Sequence, residues 1–270
     1  MVLTYKYAEI NVQVIHRYPG LSDVKTYDEE HYLNSTLTVA DVAEPVTYYN
    51  GVLYAVSGTA VTVGGSAVTP SEGQISLTGD AVITITYEVA NSGFTVEHYF
   101  EKLDGTGYDR SDNVDSGSIQ FGETKNAVDF QRDVTGFTYD PTNPNRIDTI
   151  SFLTGTEPTG RVLKLYYTRN ATTFEIQHYY QNLDGSFNTA ADETVDGGAF
   201  QFGETKNASD YVNTGKVGFT YDASVDGSIA SISYLTATPT GRVLKLYYTR
   251  NEIEFTVEHY FEQLATGEYE

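Results

Sequence analysis

Short stretches of this chain alternate strictly between apolar and polar positions. In "FTVEHYF", Phe94, Val96 and His98 take one side, and Thr95, Glu97 and Tyr99 take the other. In "VLKLYY", Leu163, Leu165 and Tyr167 alternate with Val162, Lys164 and Tyr166. Such alternation marks strands with one buried face. "LDGTG" and "LDGS" supply Asp-Gly turns, which predict a hairpin after the first kind of strand. "GETKNAVDF" is the one convincing place for a short helix. "TGFTYD" and "IDTISFLTG" read as further strands or extended segments. Pro158 with Gly160, and Pro239 with Gly241, predict the turn that enters the last strand.

These elements recur. "FTVEHYFEKLDG" at Phe94 returns as "FEIQHYYQNLDG" at Phe174 and as "FTVEHYFEQLATG" at Phe255. "QFGETKNA" and "GFTYD" follow in the same order, and each copy closes on "GRVLKLYYTRN", at Gly160–Asn170 and again at Gly241–Asn251. Repetition at a fixed period of about 80 residues signals tandem modules. The first ninety residues form a diverged copy, with "NVQVIHRYPG" as its opening strand and "VITITYEV" as its closing one. His16, His98, His178 and His259 fall 82, 80 and 81 residues apart, which sets the register.

The predicted organisation has five parts. Residues 1–9 hold the closing strand of a preceding unit, read from "VLTYKY" at Val2–Tyr7. Units at 10–90, 94–170 and 174–251 follow, and 255–270 is the opening strand of a following unit. The chain therefore reads as an excerpt of a longer array. Only Ala171–Thr173 and Glu252–Glu254 separate closing from opening strands. Connections that short predict an elongated, stiff rod. The order of hairpin, short helix, strands and final strand predicts a β-rich (α+β) fold of tandem β-grasp-like modules, with the first and last strands side by side. Immunoglobulin-like β-sandwich repeats are the alternative, although a sandwich needs about seven strands and five or six are found per unit.

Composition narrows the partners. Asp and Glu outnumber Lys and Arg by 37 to 16, giving a net charge of −21. Such a surface repels phosphate backbones and anionic lipid, which argues against nucleic-acid and membrane-surface partners. No run approaches the roughly 20 apolar residues of a membrane span. The absence of Cys excludes disulfides, thiol catalysis and thiolate metal sites. "MVLTYKYAEI" has neither a basic nor an apolar leader region, so an exported protein would carry its leader on a longer chain.

The sequence of "TVEHYFEKLDG", "GET", "GFTYD" and "VLKLYYTRN" resembles the mucin-binding-protein (MucBP-like) repeats of Gram-positive cell-surface proteins. The likeness covers Phe94–Asn251 well and Ile10–Val89 weakly. It implies an extracellular, wall-attached, multi-repeat adhesin of β-grasp-like modules, with glycan or mucin attachment in some members. The expected partners are thus glycans or mucin, neighbouring repeats, and strands of other chains that pair with the loose ends.

Candidate chemistry is sparse. Each recurring His is alone in its unit and sits on the Phe/Val face, which predicts a packed side chain with a satisfied ring nitrogen rather than a metal ligand. Asp109, Asp112 and Asp115 are spaced unlike an EF-hand loop and read as a solvated acidic loop, with a weak calcium contact left open. No cofactor is expected. Lys164 and Lys245 lie mid-strand and, with Asn126 and Asn207, are candidates for isopeptide crosslinks. Tyr48, Tyr49 and Tyr54 in "VTYYNGVLYAV", and Tyr108 beside the Asp-Gly turn, are candidate glycan platforms, since Tyr offers a flat apolar face and a hydroxyl. No catalytic constellation recurs across the units, so an enzyme is not expected. Two roles remain: a stalk with glycan-binding capacity, or a self-assembling fibre subunit joined through terminal strands.

Overall fold

The computed structural model describes residues 6, 8–28 and 31–261. The fold is β-rich with little helix, and its strands gather into several sheets. Apart from Lys6, the expected closing strand at Val2–Tyr7 lies outside the described residues, as do residues 262–270. Residues 252–261 carry no strand.

Each repeat builds one main sheet on the same plan. In the first, the order is Val24–Asp28, Val12–Arg17, Ala81–Val89, Val52–Val63 and Val46–Tyr49. In the second, Asn91–Glu101 lies between Tyr108–Arg110 and Val162–Arg169, with Phe137–Tyr139 beyond. In the third, the order is Glu193–Gln201, Ala171–Tyr180, Val243–Arg250 and Phe219–Tyr221. In every repeat the opening and closing strands are parallel neighbours: Val14 faces Ile83, Val96 faces Leu163 and Ile176 faces Leu244. A parallel pair cannot be joined by a tight turn, so the intervening residues must cross over.

That crossover carries a second, two-stranded sheet in each repeat. It pairs Thr36–Thr38 with Gln74–Ser76, Thr124–Asn126 with Thr149–Ser151, and Thr205–Asn207 with Ser231–Ser233. The expected short helix is narrower than "GETKNAVDF": Thr124–Asn126 is strand, and a 3-10 turn spans Ala127–Phe130. Its equivalent spans Ala208–Tyr211. The second repeat has seven short strands and the third six, because Tyr108–Arg110 has no counterpart.

The cores follow the alternation. Val12, Val14, Ile83, Ile85 and Tyr87 are buried in the first repeat; Phe94, Val96, Leu163, Leu165 and Tyr167 in the second; Phe174, Ile176, Leu244, Leu246 and Tyr248 in the third. Burying such side chains gives roughly 1.5–3 kcal/mol each, the main force holding each sheet to its crossover.

One expectation about the connections changes. Ala171–Thr173 is not a linker but the start of the opening strand Ala171–Tyr180. Asn170 alone separates it from the preceding closing strand, and Ala90 alone plays that part between Ala81–Val89 and Asn91–Glu101. The extra strand length is held by antiparallel pairing with Glu193–Gln201, where Ala171 faces Gln201.

Contacts gather the described residues into two compact units. One comprises residues up to Phe100, with Tyr108–Arg132 and Tyr139–Tyr167; the other comprises Glu101–Gly107, Asp133–Thr138 and the residues from Thr168 onward.

Candidate functional site

The most conspicuous polar feature is a His–Tyr pair repeated three times, buried in the second and third repeats and half-buried at His16 in the first. The alternation of the opening strand turns His98 inward, where it is 0% exposed. Its Nδ1 lies 3.0 Å from the Tyr167 hydroxyl, delivered by the parallel closing strand. His178 Nδ1 lies 2.8 Å from Tyr248 Oη, and His16 Nδ1 lies 3.2 Å from Tyr87 Oη. The Tyr167 oxygen accepts the Arg132 backbone N–H at 3.1 Å, and the Tyr248 oxygen accepts that of Asn213 at 2.9 Å. In the second repeat a carboxylate faces the other ring nitrogen, so the neutral His98 carries its proton on Nε2 and Nδ1 accepts from the Tyr167 hydroxyl.

In the second repeat Nε2 donates to Asp115 Oδ2 at 3.1 Å, while Asp115 Oδ1 meets Arg132 Nη2 at 2.6 Å. Burial lowers the His98 pKa; the Asp115 bond opposes this and Arg132 adds to it. Burial likewise lowers those of His178 and His16, against the opposing charges of Glu193 and Glu44. The same burial raises Tyr87 and Tyr248 to about 12. A nucleophile or general acid–base would need access to a reactant. These imidazoles face a core hydroxyl instead, so what the pair does is pin the closing strand to the opening one.

On the opposite face of the same strands is an aromatic ledge. Tyr99 stacks on Tyr166 at 4.7 Å, and Tyr108 meets Tyr166 edge-on at 5.1 Å. In the third repeat Tyr179 stacks on Tyr247 at 4.6 Å, and Phe187 takes the edge-on place at 5.0 Å. Tyr108 is thus half-buried and spent partly on packing. The other three candidate tyrosines do not form one platform. Tyr49 stacks on Tyr18 at 4.4 Å, and Tyr54, only 5% exposed, packs against the same ring. Tyr48 turns outward; its hydroxyl donates to Gly155 O at 2.6 Å and its ring meets the edge of Phe121.

Lys164 Nζ sits 3.9 Å from Glu97 Oε2 and 5.8 Å from the Tyr99 ring centre. The backbone of Lys245 bridges to Ile229 as that of Lys164 does to Ile147. Asn126 and Asn207 each precede a 3-10 turn. Of the acidic loop, Asp115 is drawn into the His98–Arg132 cluster. Among the described residues, no three His, Asp or Glu side chains gather as a metal-binding group. No helix among them is long and apolar enough to cross a membrane.

The sequence pattern did not reveal a shallow groove of about 320 Å³ in the second repeat, lined by Asn126, Val128, Tyr139, Pro141, Arg146 and Asp148 among others. Arg146 Nε lies 2.8 and 2.6 Å from the two Asp148 oxygens. An aromatic face beside a fixed ion pair suits a sugar ring, which presents both apolar and hydroxyl surfaces. The available signal was divergence between copies: the third repeat has Ala223, Ser228 and Ala230 where the second has Pro141, Arg146 and Asp148.

Compared with known protein families and with curated proteins, the chain matches none.

Proposed function

We propose that this chain is a run of non-catalytic spacer modules, the repeat region of a MucBP-like bacterial surface adhesin presented outside the cell. The observation that carries the reading is the repeat-to-repeat connection. At two junctions, Ala90 and Asn170, one residue joins a closing strand to the next opening strand, and its carbonyl is bonded back by the incoming repeat. Phe121 N–H donates to Ala90 O at 2.8 Å, and Phe202 N–H donates to Asn170 O at 2.9 Å. A junction so short and so bonded resists bending, which is what a spacer requires. The acidic surface keeps such an array soluble when crowded. The parallel neighbouring of first and last strands supports a β-grasp-like assignment for each module, and the motif order supports the family.

The spacer reading predicts that the full chain binds neither immobilised mucin nor a glycan array. Saturable binding that Tyr139→Ala and Arg146→Ala abolish would overturn it in favour of a glycan-binding repeat.

A second reading, a fibre subunit, draws support from the apolar side chains of the last described residues. Phe255 is 83% exposed and Phe261 76%, in a segment without a strand partner. Deleting 255–270 would then abolish oligomers; monomers with or without that segment would rule it out.

A further inference from the structure

The junction in the second compact unit has a key and a socket. The key is Phe202–Gly203, from "QFGET" of the third repeat; Gly203 has φ 97°, and its turn is closed by the Glu204 N–H bond to Gln201 O. The socket belongs to the second repeat. Phe202 meets the Phe137 ring edge at 5.7 Å, and Arg169 lies over the other aromatic partner, 4.9 Å from the Phe137 centre. Arg169 Nη1 also donates to Phe202 O at 2.8 Å. Gly136, φ 79°, makes the floor: a Cβ there would lie 2.1 Å from Phe202 Cγ, so any side chain would expel the key. Leu103 borders Gly203 on the far side.

The third repeat carries the same socket. Gly218, φ 81°, stands for Gly136, Phe219 for Phe137, Arg250 for Arg169 and Leu183 for Leu103. Its geometry is preformed: Arg250 lies 4.9 Å from the Phe219 ring centre, the same as in the occupied socket. Asn251 N–H donates to Gly218 O and Asn170 N–H to Gly136 O, both at 2.9 Å. Without Phe202–Gly203 against it, the guanidinium turns to its own repeat, and Nε donates to Gln181 O at 2.9 Å. Exposure follows occupancy. Gly136 is buried and Gly218 exposed; Leu103 is 44% exposed and Leu183 90%.

We infer that the Gly218–Phe219–Arg250–Leu183 face is a docking socket for the Phe-Gly turn of a further copy of this repeat. The occupant follows from the identical socket one repeat earlier, which holds that turn through one aromatic edge, one charged hydrogen bond and a side-chain-free floor. A Phe-Gly turn entering it would gain the aromatic contact and a guanidinium–carbonyl bond, and would cover Leu183. The choice of occupant rests on the tandem-spacer reading, but the recognition does not depend on where the protein resides or whether it binds glycans.

The chain contains no Trp, so a single introduced indole reports its own surroundings. The test extends the full chain after Glu270 by a second copy of residues 190–251, with the appended copy's Phe-Gly turn changed to Trp-Gly. Docking predicts blue-shifted emission that shifts to the red on Arg250→Ala, and again on Gly218→Val. The reference is Phe202→Trp in the unextended chain, released by Arg169→Ala. Solvent-like emission, or blue-shifted emission indifferent to both Arg250→Ala and Gly218→Val, overturns the inference. Arg250 is exposed, so its truncation leaves the third repeat folded, which circular dichroism checks. Mucin binding by the unextended chain would sink the spacer reading while leaving this outcome untouched.

Discussion

His98 and Tyr167 lie on parallel neighbouring strands with Nδ1 and Oη 3.0 Å apart, and the same hydroxyl accepts the Arg132 N–H. One phenol thus ties the opening strand, the closing strand and the segment after the 3-10 turn. Removing it strands a buried acceptor on His98 and a donor on Arg132. Tyr167→Phe should destabilise the chain by about 1–3 kcal/mol in urea unfolding, the usual cost of unpaired buried polar groups. Tyr248→Phe should cost a similar amount through His178 and Asn213. A loss within error at both would mean that the pair is incidental.

Acid should weaken the fold before the carboxylates titrate. The pKa values of His16, His98 and His178 are all lowered in the folded chain, so below pH 6.5 the unfolded chain binds more protons. Their contribution is full above the ordinary imidazole pKa and is lost as pH falls through it. The urea midpoint should drop between pH 7.5 and pH 5.5. His98→Gln should flatten that drop even though it lowers the midpoint at both pH values.

Alkali acts with the opposite sign. Tyr87 and Tyr248 stand at about 12, above the ordinary phenol value of 10.0. The unfolded chain ionises first, so stability is lost as pH rises above about 10. Absorbance at the phenolate band should show a late-titrating group of tyrosines that Tyr87→Phe and Tyr248→Phe diminish. A single titration at the ordinary value would contradict this.

The clamp beside His98 is predicted to be local. Arg132 holds the Asp115 carboxyl below its usual range, with the His98 bond adding to that. Arg132→Ala should leave Asp115 with His98 alone and raise the His98 pKa, because the cation that opposed its protonation is gone. An NMR titration of His98 reads the direction, and an unchanged or lowered value would count against the account.

Much of this architecture is legible from spacing. Alternation at Phe94–Tyr99 and Leu163–Tyr167 places the buried faces, because a strand side chain can only face up or down. The repeated His register marks a core position at His98 and His178, while His16 is half-buried and His259 exposed. Other features depend on tertiary placement that a linear pattern does not encode. Ala171–Thr173 has the polarity of a linker, yet pairing with Glu193–Gln201 makes it strand. "QFGETKNA" reads as a repeated motif that runs into the short helix, but nothing local shows that Phe202 will rest on Phe137. Tyr48 reads as an exposed ring, while its hydroxyl is claimed by Gly155, 107 residues later. The groove at Tyr139, Arg146 and Asp148 was hidden because its residues alternate with turn residues and differ between copies.

The central claim is that each repeat is bonded to its predecessor at the one-residue junction. Amide hydrogen exchange at Phe121 and Phe202 tests this most directly, since their N–H groups donate to Ala90 O and Asn170 O. The account predicts protection at both amides comparable with the strand amides of Val96 and Ile176, and loss of the Phe202 protection in Gly136→Val. Exchange at the rate of an unstructured peptide at both positions, with the strand amides still protected, would contradict it.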